Sequence, residues 1–176
     1  SLELHTLDRS TSAALVQDTL HHEHTLPNVY IFGAGHVGRA LAMALQHLPL
    51  AVCLIDSRQV EIDQAISGIP TKLTPLPEAD IRHAPPGSAY VILTHDHSLD
   101  FQLTAEALKR RDASYVGMIG SKTKRAAFMH WAKEIDKNLN TKALTCPIGT
   151  TPVANKAPAV IAAFVATELL TALSIQ

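Results

Sequence analysis

The sequence is poor in cysteine and has no excess of charge of either sign. Only two of its 176 residues are cysteines, Cys53 and Cys146, and they form no Cys-x-x-Cys pair. Neither a disulfide framework nor a structural zinc site is therefore indicated. The 15 Lys and Arg residues are balanced by 16 Asp and Glu, which gives a formal net charge of −1. We expect no nucleic-acid partner, because binding to phosphodiester chains requires a basic surface.

The sequence also lacks a long uninterrupted apolar run. The longest, residues 157–173, is shorter than the roughly 20 residues of a membrane-spanning helix, and Glu168 interrupts it. We predict a buried or interface helix there and no membrane association. Residues 1–5 show neither the basic nor the apolar region of a signal peptide, so we expect a cytoplasmic protein.

What the sequence does contain is an alternation of strand and helix patterns. Its length suits one domain, which we place at residues 27–176 as a Rossmann-like nucleotide-binding domain, after a lead-in or linker at residues 1–26. Apolar runs at 29–32, 51–55, 89–94 and 115–119 predict buried strands, and an edge strand is expected near 71–73. The amphipathic segments between them predict helices. The fold class is α/β: a doubly wound, mostly parallel sheet with helices on both faces.

A glycine-rich turn follows the first predicted strand. Residues 33–38 read Gly-Ala-Gly-His-Val-Gly, a G-x-G-x-x-G pattern placed between that strand and a helix. In this setting Gly33 permits the tight turn, Gly35 lets the backbone approach a pyrophosphate, and Gly38 allows close helix-to-strand packing. Free N–H groups at the helix start, around His36 and Val37, attract phosphate. A turn whose glycines serve packing alone is the alternative.

An acidic residue, Asp56, ends the second predicted strand. At this position a carboxylate can accept hydrogen bonds from ribose hydroxyls, and it would repel a 2′-phosphate, which favours NAD over NADP. Arg58, two residues further on, offers the opposite preference, since it could pair with a phosphate. The alternative for Arg58 is a solvated loop charge.

Histidines and carboxylates follow the strand at 89–94. Thr94, His95, Asp96 and His97 come directly after its apolar residues, where ligands bind in doubly wound sheets. They could bond to a ligand or transfer protons. The alternative is a helix start capped by Ser98 or Asp100, with the histidines merely nearby. We predict no metal site, because a His-x-His pair lacks a third spaced ligand.

A second cluster follows the strand at 115–119. Its candidate residues form a second anion site in which backbone, hydroxyl and cationic groups would act together: Gly120, Ser121, Lys122, Lys124 and Arg125. An ordinary serine cap followed by solvated basic residues is the alternative. Further on, Cys146 is either a partly exposed thiolate able to touch a ligand or a small buried hydrophobe.

These motifs, taken in order, resemble the C-terminal Rossmann domain of the xanthine dehydrogenase accessory protein (XdhC/CoxI) family. The resemblance covers about residues 29–170 and rests on the glycine turn, Asp56-Ser57-Arg58, the Thr94–Asp100 segment, the Gly117–Arg125 segment, and Cys146 to Gly149 with Lys156 to Pro158. It implies a domain that holds the molybdenum cofactor, helps it acquire its sulfido ligand from a cysteine desulfurase, and passes it to a molybdenum hydroxylase. Longer family members carry a further N-terminal domain, and residues 150–155 lack the glycines expected before the family's lysine.

Three functions follow from these observations. The first is a non-catalytic accessory or chaperone domain with the molybdenum cofactor as cargo, and we expect it to form a homodimer. The second is an NAD-dependent oxidoreductase, although no Tyr-x-x-x-Lys pair is present and His95 or His97 would have to serve as its base. The third is a regulatory module that senses a bound NAD(H)-like dinucleotide. The incomplete catalytic set makes us favour the first.

Overall fold

A computed structural model describes residues 26–173, so the predicted lead-in lies almost wholly outside the described residues. The described strands are β1 (Asn28–Phe32), β2 (Ala51–Asp56), β3 (Thr71–Leu73), β4 (Ala89–Ile92), β5 (Tyr115–Met118) and β6 (Leu144–Thr145). The helices are α1 (His36–Leu45), α2 (Gln59–Asp63), α3 (Pro77–His83), α4 (His97–Lys109), α5 (Lys122–Ile135) and α6 (Pro158–Ala172), with a 3₁₀ turn at Thr141–Ala143.

The six strands form one sheet in the order β3-β2-β1-β4-β5-β6. All neighbouring pairs in the described sheet are parallel, which confirms the α/β, doubly wound fold and makes the sheet wholly rather than mostly parallel. The predicted strands are confirmed, with β3 at the expected edge. β4 ends at Ile92, before the predicted Thr94, because the Thr94 N–H leaves the sheet and donates to the Asp100 carboxylate over 2.9 Å.

Helices cover both faces of the sheet, and successive residues of β1 serve two different cores. Ile31 packs in a cluster with Leu41 of α1 and Leu169 of α6. Phe32, the next residue, packs on the opposite face with Leu103 of α4 and Phe128 of α5. Each such fully buried side chain contributes about 1.5–3 kcal/mol by leaving water. The central strands are therefore apolar on both sides, which is why they appear in the sequence as continuous apolar runs.

The final helix, α6, is a packed helix of the core, as predicted. It buries Ala162, Val165, Ala166 and Leu169, and it lies against α1. Across residues 26–173, every helix falls short of the length and apolar character needed to cross a bilayer.

Candidate functional site

A crevice opens at the carboxyl ends of the strands where the strand order reverses, between β1 and β4. In doubly wound sheets the connections from such a pair of strands run to opposite faces, which leaves room for a ligand between them. The crevice has a volume of about 340 Å³ and is lined by the glycine turn, the loop after β2 and the loop after β4. That volume lies within the range of small-molecule sites, roughly 300–1,000 Å³.

The three glycines of the turn are needed for different reasons. Gly33 has a φ of +119°, and a Cβ there would lie 2.3 Å from the Leu93 carbonyl oxygen. A Cβ on Gly38 would lie 1.8 Å from the Gly33 carbonyl oxygen, so the helix could not pack against the turn. A Cβ on Gly35 would meet no atom of residues 26–173 within 4 Å, because this residue faces the crevice. Gly33 and Gly38 thus shape the turn, whereas Gly35 leaves it open.

Gly35, His36 and Val37 all line the crevice. Gly35 is the N-cap of α1, and its position supplies no side-chain hydrogen bond to the first turn of the helix. The helix start therefore presents backbone N–H groups and a positive dipole end to the crevice, which suits a phosphate group.

The Asp56 carboxylate is buried and already accepts four hydrogen bonds. Oδ2 accepts from the Ala34 N–H over 2.8 Å and from Arg58 Nη2 over 3.0 Å. Oδ1 accepts from the Arg58 N–H over 2.9 Å and from Arg58 Nε over 3.1 Å. Burial raises the pKa of Asp56, but the hydrogen bonds from Arg58 and Ala34 outweigh it and hold the pKa below its ordinary value. Asp56 thus remains ionised and ties the glycine turn to the end of β2.

Two residues that the sequence did not single out complete this arrangement. Arg39 Nη1 donates to the Ala34 carbonyl over 2.7 Å and to Glu61 Oε2 over 2.6 Å. Glu61 also lies near Arg58, with Oε1 3.7 Å from Nη1. Arg39 and Glu61 both line the crevice. The only sequence signal was an arginine directly after Gly38, and nothing local connected it with Glu61.

The loop after β4 places one histidine in the crevice and the other outside it. Thr94 and His95 line both the crevice and a smaller adjoining cavity, whereas Asp96 and His97 line neither. Asp96 caps α4, because its Oδ1 accepts from the Ser98 N–H over 2.8 Å and the Leu99 N–H over 3.3 Å. The alternative of a capped helix start holds, but the cap is Asp96 and not Ser98 or Asp100, since α4 begins at His97.

Asp100 is fully buried and joins two loops. Its Oδ1 accepts from the Thr94 N–H over 2.9 Å and the Thr94 hydroxyl over 2.6 Å. Its Oδ2 accepts from Lys124 Nζ over 2.6 Å, and the same ammonium donates to the Ile119 carbonyl over 2.8 Å. The carboxyl ends of β4 and β5 are therefore linked directly beneath the crevice.

Two of the three cationic side chains in the basic cluster after β5 donate hydrogen bonds to other groups of the chain. Lys124 is occupied by Asp100, and Arg125 Nη1 donates to the carbonyls of Leu144 and Cys146, each over 3.1 Å. Ser121 caps α5 by accepting from the Lys124 N–H over 3.1 Å. A Cβ on Gly120 would lie 2.5 Å from Lys124 Cδ, so Gly120 leaves room for that side chain. Lys122 is exposed, and the second anion site stays a prediction.

Cys146 is buried at the start of the turn after β6. Burial raises the pKa of its thiol, and the nearby charges of Lys124 and Arg125 offset that effect only in part. The side chain is thus a protonated thiol packed in the core cluster with Phe128 and Leu144. Elsewhere in residues 26–173, no three His, Cys, Asp or Glu side chains come together in a metal-binding arrangement.

A family model described as the XdhC Rossmann domain matches residues 29–169. The chain belongs to this family. The match covers the whole sheet from β1 to β6 and all of the crevice, so the XdhC Rossmann domain is the unit that builds the site.

A solved structure agrees on the fold. A Bacillus halodurans protein described as a xanthine dehydrogenase is similar over 85% of this chain, with a TM-score of 0.70 and 18% identity. This chain spans only 43% of the length of that protein. The protein chuY from E. coli strain CFT073 is 16% identical over 83% of this chain and 90% of its own, with a TM-score of 0.49. Comparison with curated proteins gave no match.

Proposed function

We propose that this chain is the cofactor-holding domain of an XdhC-type accessory protein, and that the molybdenum cofactor is its cargo. Membership in the XdhC Rossmann family supports an accessory role in the maturation of xanthine dehydrogenase. The description of the similar Bacillus halodurans structure as a xanthine dehydrogenase agrees with that context. The proposed site of action is the cytoplasm.

The observation that carries the proposal is the open position at Gly35. The molybdenum cofactor ends in a phosphate or a nucleotide, and the space that a Cβ on Gly35 would take is free for such a group. The N–H groups at the start of α1 would hold the phosphate, and His95 would face the ligand from the opposite wall. The cofactor would supply the metal–dithiolene centre, while the protein groups bind and orient it.

The experiment is an anaerobic titration of the purified chain with molybdopterin, followed by fluorescence. We expect micromolar binding that Gly35→Ala weakens at least about tenfold, because its methyl group obstructs the approach of the phosphate. His95→Ala should weaken binding as well. His97→Ala is the matched control, since His97 lies on the same loop but outside the crevice. No binding to the unmodified chain, or equal loss in both histidine variants, would refute the proposal.

The glycine turn itself favours a second candidate, a dinucleotide-binding function. It would be either an NAD-dependent oxidoreductase or a module that senses NAD(H). Asp56 stands where such proteins hold the adenosine ribose, but its oxygens already accept four N–H groups. Titration with NAD, NADH and NADPH separates the candidates: nicotinamide binding with turnover of a small alcohol or aldehyde would favour the oxidoreductase.

We further propose that the partners are a molybdenum hydroxylase client, a cysteine desulfurase and a second copy of this chain. The family membership supports the first two, and the apolar composition of α6 supports the third. Sedimentation of the purified chain at several concentrations tests the dimer, and co-purification with each of the two enzymes tests the others.

A further inference from the structure

We infer that Arg58 is a specificity-determining residue that blocks adenosine ribose from binding at Asp56. The crevice then accepts a phosphate-bearing ligand while discriminating against adenosine dinucleotides. The inference rests on the proposed use of the crevice for a phosphate-bearing ligand. It deepens that proposal by naming what the site rejects.

The Asp56 carboxylate has no acceptor position left for a ribose. An ionised carboxylate has about four positions at which it accepts hydrogen bonds. Two are used by the N–H groups of Ala34 and Arg58, and the other two by the Arg58 guanidinium, one on each carboxylate oxygen. A ribose diol also needs one position on each oxygen. The guanidinium therefore occupies the two positions that the two hydroxyls would use.

The guanidinium is held in place from its other side. Glu61 lies 3.7 Å from Arg58 Nη1 and is itself fixed by Arg39, which in turn donates to the carbonyl of Ala34 in the glycine turn. Charges alternate along Asp56, Arg58, Glu61 and Arg39, so displacing Arg58 would remove the cation that pairs with both the Asp56 and the Glu61 carboxylates. Losing that shared cation is unfavourable for both carboxylates, and this opposes the movement that a ribose would require.

The space next to Asp56 is also small. A cavity of about 20 Å³ lies between Asp56, Ile55, Thr94 and Leu99, on the side of the sheet away from the glycine turn's helix. That is roughly the volume that one water molecule requires. The neighbouring crevice is open and lined by polar groups. Of these two spaces, Asp56 lines only the small cavity, whereas the start of α1 lines the open crevice, so the open space lies at the phosphate position and not against the Asp56 carboxylate.

The test compares ADP with 2′-deoxy-ADP, which lacks one of the two ribose hydroxyls that Asp56 would bind. In the unmodified chain we expect equal affinities for the two probes. In Arg58→Met the carboxylate is freed, and ADP should bind about tenfold or more tightly than 2′-deoxy-ADP, the value of one hydrogen bond to a charged group. The ratio of affinities is insensitive to any general loss of phosphate binding. Arg58→Gln, which retains a single donor nitrogen in its side chain, should give an intermediate ratio.

Arg82→Met is the matched control, because Arg82 forms an exposed pair with Glu106 on helices away from the crevice. In Arg82→Met the ratio of the affinities for ADP and 2′-deoxy-ADP should stay at one. In the double variant Arg58→Met/Asp56→Asn the preference for ADP over 2′-deoxy-ADP should disappear. A tenfold preference for ADP over 2′-deoxy-ADP in the unmodified chain overturns the inference. Equal affinities for the two probes in folded Arg58→Met overturn it as well, and so does failure of that variant to bind either probe. Thermal unfolding verifies that each variant is folded, and molybdopterin binding by the unmodified chain tests the proposed function separately.

Discussion

At the scale of single residues, the same amino acid serves unlike purposes a few positions apart. The lack of a side chain at Gly33 and Gly38 prevents collisions with the backbone carbonyls of Leu93 and Gly33, whereas at Gly35 it leaves the crevice open. Similarly, the Asp56 carboxylate binds backbone and guanidinium groups of its own chain, although its place in the sequence suits a ligand contact. The role of each of these residues therefore depends on its surroundings and not on its type alone.

Two glycine variants should therefore differ in stability. Gly38→Ala forces a Cβ to within 1.8 Å of the Gly33 carbonyl oxygen, and we expect it to lower the free energy of unfolding by at least about 2 kcal/mol. The methyl group of Gly35→Ala meets no atom within 4 Å in the described part of the chain, so this variant should change the free energy of unfolding by no more than about 0.5 kcal/mol. Urea unfolding followed by circular dichroism measures both. Equal losses would mean that Gly35 is as tightly packed as Gly38.

The charge on Asp56 should stabilise the fold in a pH-dependent way. Asp56→Asn is expected to cost about 1.5–3 kcal/mol at pH 7, because one oxygen acceptor becomes an N–H donor facing other donors. The pKa of Asp56 is lowered in the folded chain, so its contribution is present above the ordinary carboxyl pKa and is lost as the pH falls through the folded value.

Urea unfolding between pH 7 and about pH 3 checks this expectation. The difference in unfolding free energy between the unmodified chain and Asp56→Asn should shrink toward the acid end. Asp63→Asn provides the control, since among residues 26–173 that exposed carboxylate accepts only from the Gln59 side chain. A difference that stays constant with pH would show that Asp56 acts through its shape and not its charge.

At the scale of elements, the carboxyl ends of β4 and β5 depend on one buried ion pair. Asp100 at the start of α4 and Lys124 at the start of α5 form an ion pair beneath the crevice, and each also bonds to the loop that precedes its own helix. The pair sets the position of Thr94 and thereby of His95. Buried pairs of this kind are costly to break, because the remaining charge has no partner.

Lys124→Met should accordingly destabilise the fold by about 3–5 kcal/mol, measured by urea unfolding. Lys122→Met, in the same helical turn but exposed, should change stability by no more than about 0.5 kcal/mol. The double variant Asp100→Asn/Lys124→Met should recover part of the loss, since no unpaired charge remains. If Lys124→Met is as stable as Lys122→Met, the ion pair is not important for folding.

At the scale of the whole molecule, one glutamate fastens the final helix to the sheet. Glu168 is the charge that interrupts the apolar pattern of α6. Its Oε2 accepts from the Tyr115 hydroxyl over 2.8 Å, and its Oε1 accepts from the Gly149 N–H over 2.9 Å. It thus connects β5, the turn after β6 and α6. Burial, and secondarily the Glu168 carboxylate, raise the pKa of Tyr115 far above its ordinary value.

This contact should make the protein sensitive to alkali. A pKa raised on folding means that the Tyr115 contribution is fully present below the ordinary tyrosine pKa, near 10, and is lost as the pH rises above it. The free energy of unfolding should fall between pH 9 and about pH 11, and Tyr115→Phe should reduce that fall. Glu168→Gln should give an intermediate dependence, because burial remains but the carboxylate charge is gone. Identical alkaline profiles for all three chains would contradict this account.

Much of the fold was determined by the sequence alone. The apolar runs at 29–32, 51–55, 89–94 and 115–119, the helical segments between them and the glycine turn all depend on spacing between near neighbours, and the structure confirms the elements and the doubly wound sheet. Even the roles of Gly33 and Gly38 could be predicted, since both follow from a tight turn between a strand and a helix.

Only the tertiary structure decided how the polar groups are paired. Asp56 was expected to be open to a ligand, and Lys124 and Arg125 to face an anion, yet each is occupied by a partner within the chain. The pairing of Arg39 with Glu61 was not predicted. Asp96, and not Ser98 or Asp100, caps α4. Apolar burial leaves a periodic pattern along the chain, whereas a hydrogen bond depends on the exact approach of atoms that the fold brings together from distant positions.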